Sequence, residues 1–175
     1  MALHKFAFYL FICLSVNTTS MNAQHFTEAF IERFYWHFEQ SSLKVVDLAE
    51  TMPDETYEWS PDDEAMSVAR VFMHIARYNY ILPQRLHGIE VPDHIIPGEM
   101  EQITDKETVV TMLKESVEYV FELSEKLADE ALNESVVIFG EETQGWAVLM
   151  LLITHMNEHV GQSVSYARMN GVVPP

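Results

Sequence analysis

Phe26, Phe30, Phe34 and Phe38, followed by Val45 and Leu48, recur at spacings of four, seven and three residues and so line one stripe of a helix. A second helix is predicted from Ser60-Pro61-Asp62-Asp63. That tetrapeptide offers an N-cap, a proline for the first turn and two acids that favour the positive end of the helix dipole. Its apolar positions are Val68, Val71, Phe72, Ile75 and Leu82, and it runs to about His87-Gly88, with Pro83 a kink or an early stop. A third opens at Thr104-Asp105-Lys106-Glu107, which has the form of a capping box, and continues through Val109, Leu113, Val117, Val120, Leu123 and Leu127. A fourth begins between Thr143 and Trp146, carries Leu149, Leu152, Ile153, Met156 and Val160, and ends at Asn170-Gly171 ahead of Pro174-Pro175.

The connections are a loop from Gly88 to Gln102, with Pro92 and Pro97, and a stretch from Glu134 to Gly145 in which Val136-Val137-Ile138-Phe139 can form a short extended piece. No repeat and no linker divides this part of the chain. Four amphipathic helices sharing one core imply an all-α fold, a four-helix bundle. The loops are long enough that an up-down-up-down order does not follow.

The first two dozen residues have a different pattern. Lys5 precedes the apolar run Phe6 to Val16, and a polar, small-residue stretch leads to Ala23 and Gln24. This is the anatomy of a secretory signal peptide, so residues 1–23 are expected to be a cleaved leader and 24–175 the folded domain. The run is about half of what a bilayer requires. The expected location is therefore periplasmic or secreted, with no stable membrane span after cleavage. The single cysteine, Cys13, would leave with the leader, so the domain has no disulfide, no thiol nucleophile and no cysteine ligand.

Charge narrows the partners. Of the 175 residues, 48% are apolar, 10 are basic and 27 acidic, giving a net charge of −17; loss of Lys5 leaves nine basic against 27 acidic, or −18. No cluster of lysine or arginine interrupts the acidity, which argues against nucleic acid and anionic lipid as partners. Solubility alone accounts for most of it.

Chemistry, if present, lies in the eight histidines. His155 and His159 are four apart on the fourth helix, so both imidazoles project from one face and can reach one metal ion. Such a pair alone is only a hint. His74 adds weight, because it lies within the apolar stretch Val71-Phe72-Met73-His74-Ile75-Ala76, where an imidazole must find a hydrogen-bond partner or a metal. A satisfied core histidine is the competing reading. His4 falls in the leader, and His25, His37, His87 and His94 read as surface residues.

A rival motif overlaps this set. His155-Met156-Asn157-Glu158-His159 has the form H-x-x-E-H of inverted zinc proteases, with Glu158 as general base. Those enzymes take a further carboxylate ligand from downstream, and no Asp or Glu follows His159. Protease is a minor alternative.

The segment Val71 to Asn79, the Trp59-Ser60-Pro61 that leads toward it, and the C-terminal series His155, His159, Gly161, Gln162, Tyr166, Arg168, Gly171 and Pro174-Pro175 together resemble the DinB/YfiT-like family of metal-binding four-helix bundles. The resemblance spans essentially the whole domain and implies His74, His155 and His159 as ligands of one divalent transition metal, nickel or zinc. It also implies a chemistry, since members include thiol-dependent transferases and a maleylpyruvate isomerase that uses a low-molecular-weight thiol. Export and acidity both weigh against an anionic thiol. Three neutral nitrogens leave coordination positions open for water or substrate. Asn79, Asn157, Glu158, Gln162 and Tyr166 are the polar residues nearest on the same helices, and Glu158, Gln162 and Tyr166 are the candidates for catalytic roles.

The resulting expectation is a metal-dependent hydrolase or transferase acting on a small molecule whose identity the sequence does not give. The alternative is a non-catalytic module that binds a metal or a small ligand. The resemblance also carries an expectation of a homodimer.

Overall fold

The computed structural model describes the backbone of residues 2–127 and 129–175 and the side chains of residues 27–127 and 130–175. The predicted leader, residues 1–23, lies outside the described side chains. Six helices occur among the described residues: α1 (Ala2–Thr51), α2 (Val68–Ile81), α3 (Pro97–Met100), α4 (Lys106–Ser124), α5 (Asp129–Asn133) and α6 (Trp146–Met169). Residues Met1–Arg33 form one unit, helical from Ala2, and Phe34–Pro175 form a second, compact one.

In the second unit the apolar stripes predict the core. Phe34, Phe38, Val45 and Leu48 of α1 are buried, as are Val68, Val71, Phe72 and Ile75 of α2. Val109, Leu113, Val117, Val120 and Leu123 of α4 join them, with Leu149, Leu152, Met156 and Val160 of α6. Between helices, Phe38 meets Phe121 edge-on with ring centroids 5.3 Å apart, and Tyr35 lies against the same ring at 4.5 Å. Buried polar groups find partners across the same seams. Asn79 on α2 donates to Ser116 Oγ on α4 at 3.0 Å, and Asn157 on α6 donates to Ser41 Oγ on α1 at 2.9 Å. Lys106, in the first turn of α4, caps the end of α1 by donating to the carbonyls of Glu50 and Met52.

Two helix starts differ from the sequence reading. α2 begins at Val68, capped by Ser67, whose Oγ accepts from Arg70 N. The Ser60-Pro61-Asp62-Asp63 stretch instead forms a turn in which Asp62 Oδ1 accepts from Glu64 N and Ala65 N. The short acceptor that caps a helix also closes an isolated turn, so the residue types did not separate the two. α4 is capped by Asp105, which accepts from both the backbone and the hydroxyl of Thr108, while Thr104 donates to Glu58. Pro83 acts as a stop, opening a 3-10 turn after Ile81.

The fold is not purely helical. Ser135–Ile138 (β1) and Glu141–Gln144 (β2) form an antiparallel hairpin with Val136 opposite Thr143. Its two-residue loop has Phe139 at φ 51° and Gly140 at φ 89°, the positive pair that matches strand twist in a tight hairpin. α6 ends as the sequence predicts: Gly171 takes φ 74°, Gly171 N donates to Arg168 O and Val172 N donates to Ala167 O, a Schellman closure. Among the described residues no helix is long and apolar enough to cross a membrane.

Candidate metal centre

α2 and α6 pack side by side and bring His74 against His155 and His159. The ring centroids are 5.1 Å apart for His74 and His155, 4.9 Å for His74 and His159, and 4.7 Å for His155 and His159. One donor nitrogen from each lies within 4.8 Å of the other two, close enough to hold a single metal ion. All three rings are half-buried.

Hydrogen bonds decide which nitrogen each ring presents. His74 Nδ1 is 2.8 Å from Glu101 Oε1. Burial works to raise the Glu101 carboxyl, but hydrogen bonds from His74 and Arg70 and the nearby Arg77 charge outweigh it and hold it below the usual carboxylate range. An ionised carboxylate only accepts, so His74 Nδ1 carries the proton and its Nε2 lone pair is free. His159 Nδ1 is 2.8 Å from Gln162 Oε1, while Gln162 Nε2 donates to Tyr166 OH at 2.9 Å. The amide oxygen accepts from His159, which again leaves Nε2 open. His155 Nε2 is fully buried and has no hydrogen-bond partner among the described residues.

An orphaned buried nitrogen is rare in a folded protein. This one stands beside two other imidazoles, each fixed through its second nitrogen, the support that metal-binding histidines generally receive. The donor set and its supports fit a divalent transition metal.

Electrostatics favour the neutral form of His155 and His159, the form that ligation requires. Burial, followed by the His159 and His74 charges, pushes His155 down to about 3. Burial also lowers His159, against the Gln162 hydrogen bond, which works the other way. Tyr78 stacks on His155 at 4.2 Å and 24°, fixing the ring plane.

Of the remaining sequence candidates, Gln162 and Tyr166 continue from His159 along α6, and Trp59 meets Tyr166 edge-on at 5.4 Å. Glu158 is on the exposed side of α6, and no hydrogen bond joins it to the three histidines among the described residues. Asn79 and Asn157 point to α4 and α1 rather than to the histidines. His37, His87 and His94 are exposed, as expected. The sequence reading missed Glu101, together with Arg70 and Arg77, which clamp it at 3.1 and 3.2 Å. One signal was available: Arg70, His74 and Arg77 recur at four- and three-residue spacings on α2, a basic stripe that calls for an acid opposite.

The sequence pattern of the DinB family matches residues 21–175. The chain belongs to the DinB family. Its fold is shared by a DinB-like protein from Bacillus cereus at 21% identity, covering 85% of this chain and 95% of that one with a TM-score of 0.61. A DinB-like protein from Bacillus subtilis is similar at 23% identity, with 79% and 92% covered and a TM-score of 0.63. A conserved protein from Enterococcus faecalis matches at 18% identity, with 83% and 95% covered and a TM-score of 0.53. No curated protein matches this DinB-family chain in sequence.

Proposed function

We propose that this DinB-family protein is a four-helix bundle that binds one divalent transition metal, nickel or zinc, through His74, His155 and His159, and that it acts as a metal-dependent hydrolase or transferase on a small molecule. The observation that carries the reading is the buried, unpartnered Nε2 of His155 beside two imidazoles whose Nδ1 protons are already committed. Imidazole suits both metals, so the ligand set does not choose between them.

A divalent ion held there would lower the pKa of a bound water or thiol and so supply a nucleophile near neutral pH. The chain's own groups do the positioning. Glu101 holds the Nδ1 proton of His74 and, clamped by Arg70 and Arg77, stays ionised while doing so. Gln162 holds His159, and Tyr166, having accepted from Gln162, retains its own O–H to donate to a ligand on that side. Tyr78 covers His155 and excludes water from it.

One observation favours a second reading, a metal- or ligand-binding module without catalysis. The carboxylate nearest the triad, Glu101, is engaged by three donors and is no free base, while Glu158 is exposed. An exchangeable water on the metal, detected by relaxation of solvent protons in a paramagnetic-metal form, separates catalysis from sequestration.

The deciding experiment is metal titration of the purified domain. One ion per chain is expected, with affinity reduced about a hundredfold or more in His159→Ala, since loss of a group that merely orients a ligand already costs about 10–100-fold. Wild-type protein that takes up no stoichiometric nickel or zinc would sink the reading. Export through cleavage after residue 23 is part of the same proposal, tested by the mass of the protein isolated from its host.

A further inference from the structure

The clamp on Glu101 contains more positive charge than Glu101 needs. α2 places Arg70, His74 and Arg77 on one stripe. Arg70 Nε donates to Glu101 Oε2 at 3.1 Å and Arg77 Nη1 to Oε1 at 3.2 Å, so both guanidiniums converge on one carboxylate that also accepts from His74. One arginine would neutralise that carboxylate. The second leaves a local surplus of one positive charge in a chain with only 10 basic residues and a net charge of −17.

That surplus borders open space. A cavity of about 490 Å³ is lined by Arg70, Arg77, Pro97, Gly98, Glu101 and Gln102. Neither terminal nitrogen of Arg70 has a hydrogen-bond partner among the described residues, and Arg77 commits only Nη1. The Arg77 guanidinium sits 5.6 Å from the centre of the Tyr78 ring, which steadies its plane. Nothing lies within 4 Å of where a side chain would begin at Gly98, so that wall is open. Two oriented guanidinium forks with spare donors are the arrangement that recognises a planar or tetrahedral oxyanion.

We propose that this cavity binds the oxyanion group, carboxylate or phosphate, of a small molecule, held by the free nitrogens of Arg70 and Arg77. The site is one hydrogen bond from His74. As an anchoring point for the substrate of the metal centre it rests on the function proposed above, whereas the anion binding itself does not. The acidity of the whole chain opposes anions at long range; within the cavity, inside the screening distance, two guanidiniums stand against the one carboxylate of Glu101 and leave a net positive charge.

The test uses the metal-free full chain, with inorganic phosphate and acetate titrated separately by calorimetry at low ionic strength. Saturable 1:1 binding of at least one anion is expected, weakened about tenfold in Arg70→Gln or Arg77→Gln and abolished in the double variant, each change being one charge-assisted hydrogen-bonding group. Affinity should fall as salt is raised. The Arg70 side chain is half-exposed, so Arg70→Gln is expected to keep its fold even if the double variant does not, and helical content by circular dichroism checks both. The proposal is overturned if neither anion binds, or if a folded Arg70→Gln protein binds as tightly as wild type. Because no metal is present, failure of the metal reading leaves this result unaffected, and a metal-binding protein that ignores both anions rejects the cavity alone.

Discussion

Gln162 accepts from His159 through its amide oxygen and donates to Tyr166 through its amide nitrogen, at 2.8 and 2.9 Å, so one side chain sets both the tautomer of a candidate ligand and the direction of a phenol. Gln162→Ala should therefore weaken metal affinity about tenfold to a hundredfold, the usual effect of losing a group that orients a ligand. Gln162→Glu keeps the acceptor and should retain most of the affinity. Competition with a chelating dye measures both, and equal affinity in Gln162→Ala and wild type would remove the orienting role.

His155 Nε2 is buried with no hydrogen-bond partner among the described residues, as a nitrogen reserved for an ion would be. Replacement by Phe should abolish tight metal binding yet leave the metal-free protein as stable as wild type, or more so, because an unpartnered polar atom is exchanged for an apolar ring of similar shape. Thermal unfolding of both metal-free proteins is the check. A large drop in midpoint for His155→Phe would show that the histidine is a satisfied core residue instead.

The same histidine sets a pH dependence. Its folded-state value is about 3 against 6.5 in the unfolded chain, so between those values the unfolded state binds the extra proton. The metal-free protein should hold its full stability above about pH 6.5 and lose it progressively toward pH 3. Urea unfolding across that window should show the slope in wild type and a shallower one in His155→Phe. Identical slopes would mean that His155 does not titrate in this way.

Asn79→Ala should lower stability by about 1–3 kcal/mol, because it removes a buried amide that binds Ser116 Oγ. Metal affinity should be unchanged, as the amide faces α4. A variant with normal stability and weakened metal binding would move Asn79 into the site.

Gly145 is constrained by space, with φ at an ordinary −54°. A Cβ there would stand 2.0 Å from the backbone oxygen of Ala131 and 3.0 Å from Leu86 Cδ2, and its N–H is already bonded to Glu134 O. Gly145→Ala should destabilise the domain by about 1–3 kcal/mol through forced displacement of α5. An unaltered unfolding midpoint would show that this junction yields easily.

Helix positions were legible because burial imposes a 3.6-residue period on Phe34, Phe38, Val45 and Leu48 and on the corresponding residues of the other long helices. Helix starts were less so. The acceptors of Asp62 and Ser67 have equivalent chemistry, and only the fold decides which one heads a helix. The same limit applies to the site. Four-residue spacing pairs His155 with His159 on any helix, but the contact between His74 and Glu101 spans 27 residues and a loop, and no local period encodes it. Spacing also placed Asn79 and Asn157 near the ligands, where packing turns both toward neighbouring helices.

Trp59 lies in the segment before α2, yet it touches Tyr166, which binds Gln162, which binds His159. Three consecutive contacts thus link an indole to a candidate metal ligand. The chain thus offers its own optical indicator: an ion drawing on His159 would shift the surroundings of that indole, and the emission of Trp59, isolated by replacing Trp36 and Trp146, would report occupancy without added dye.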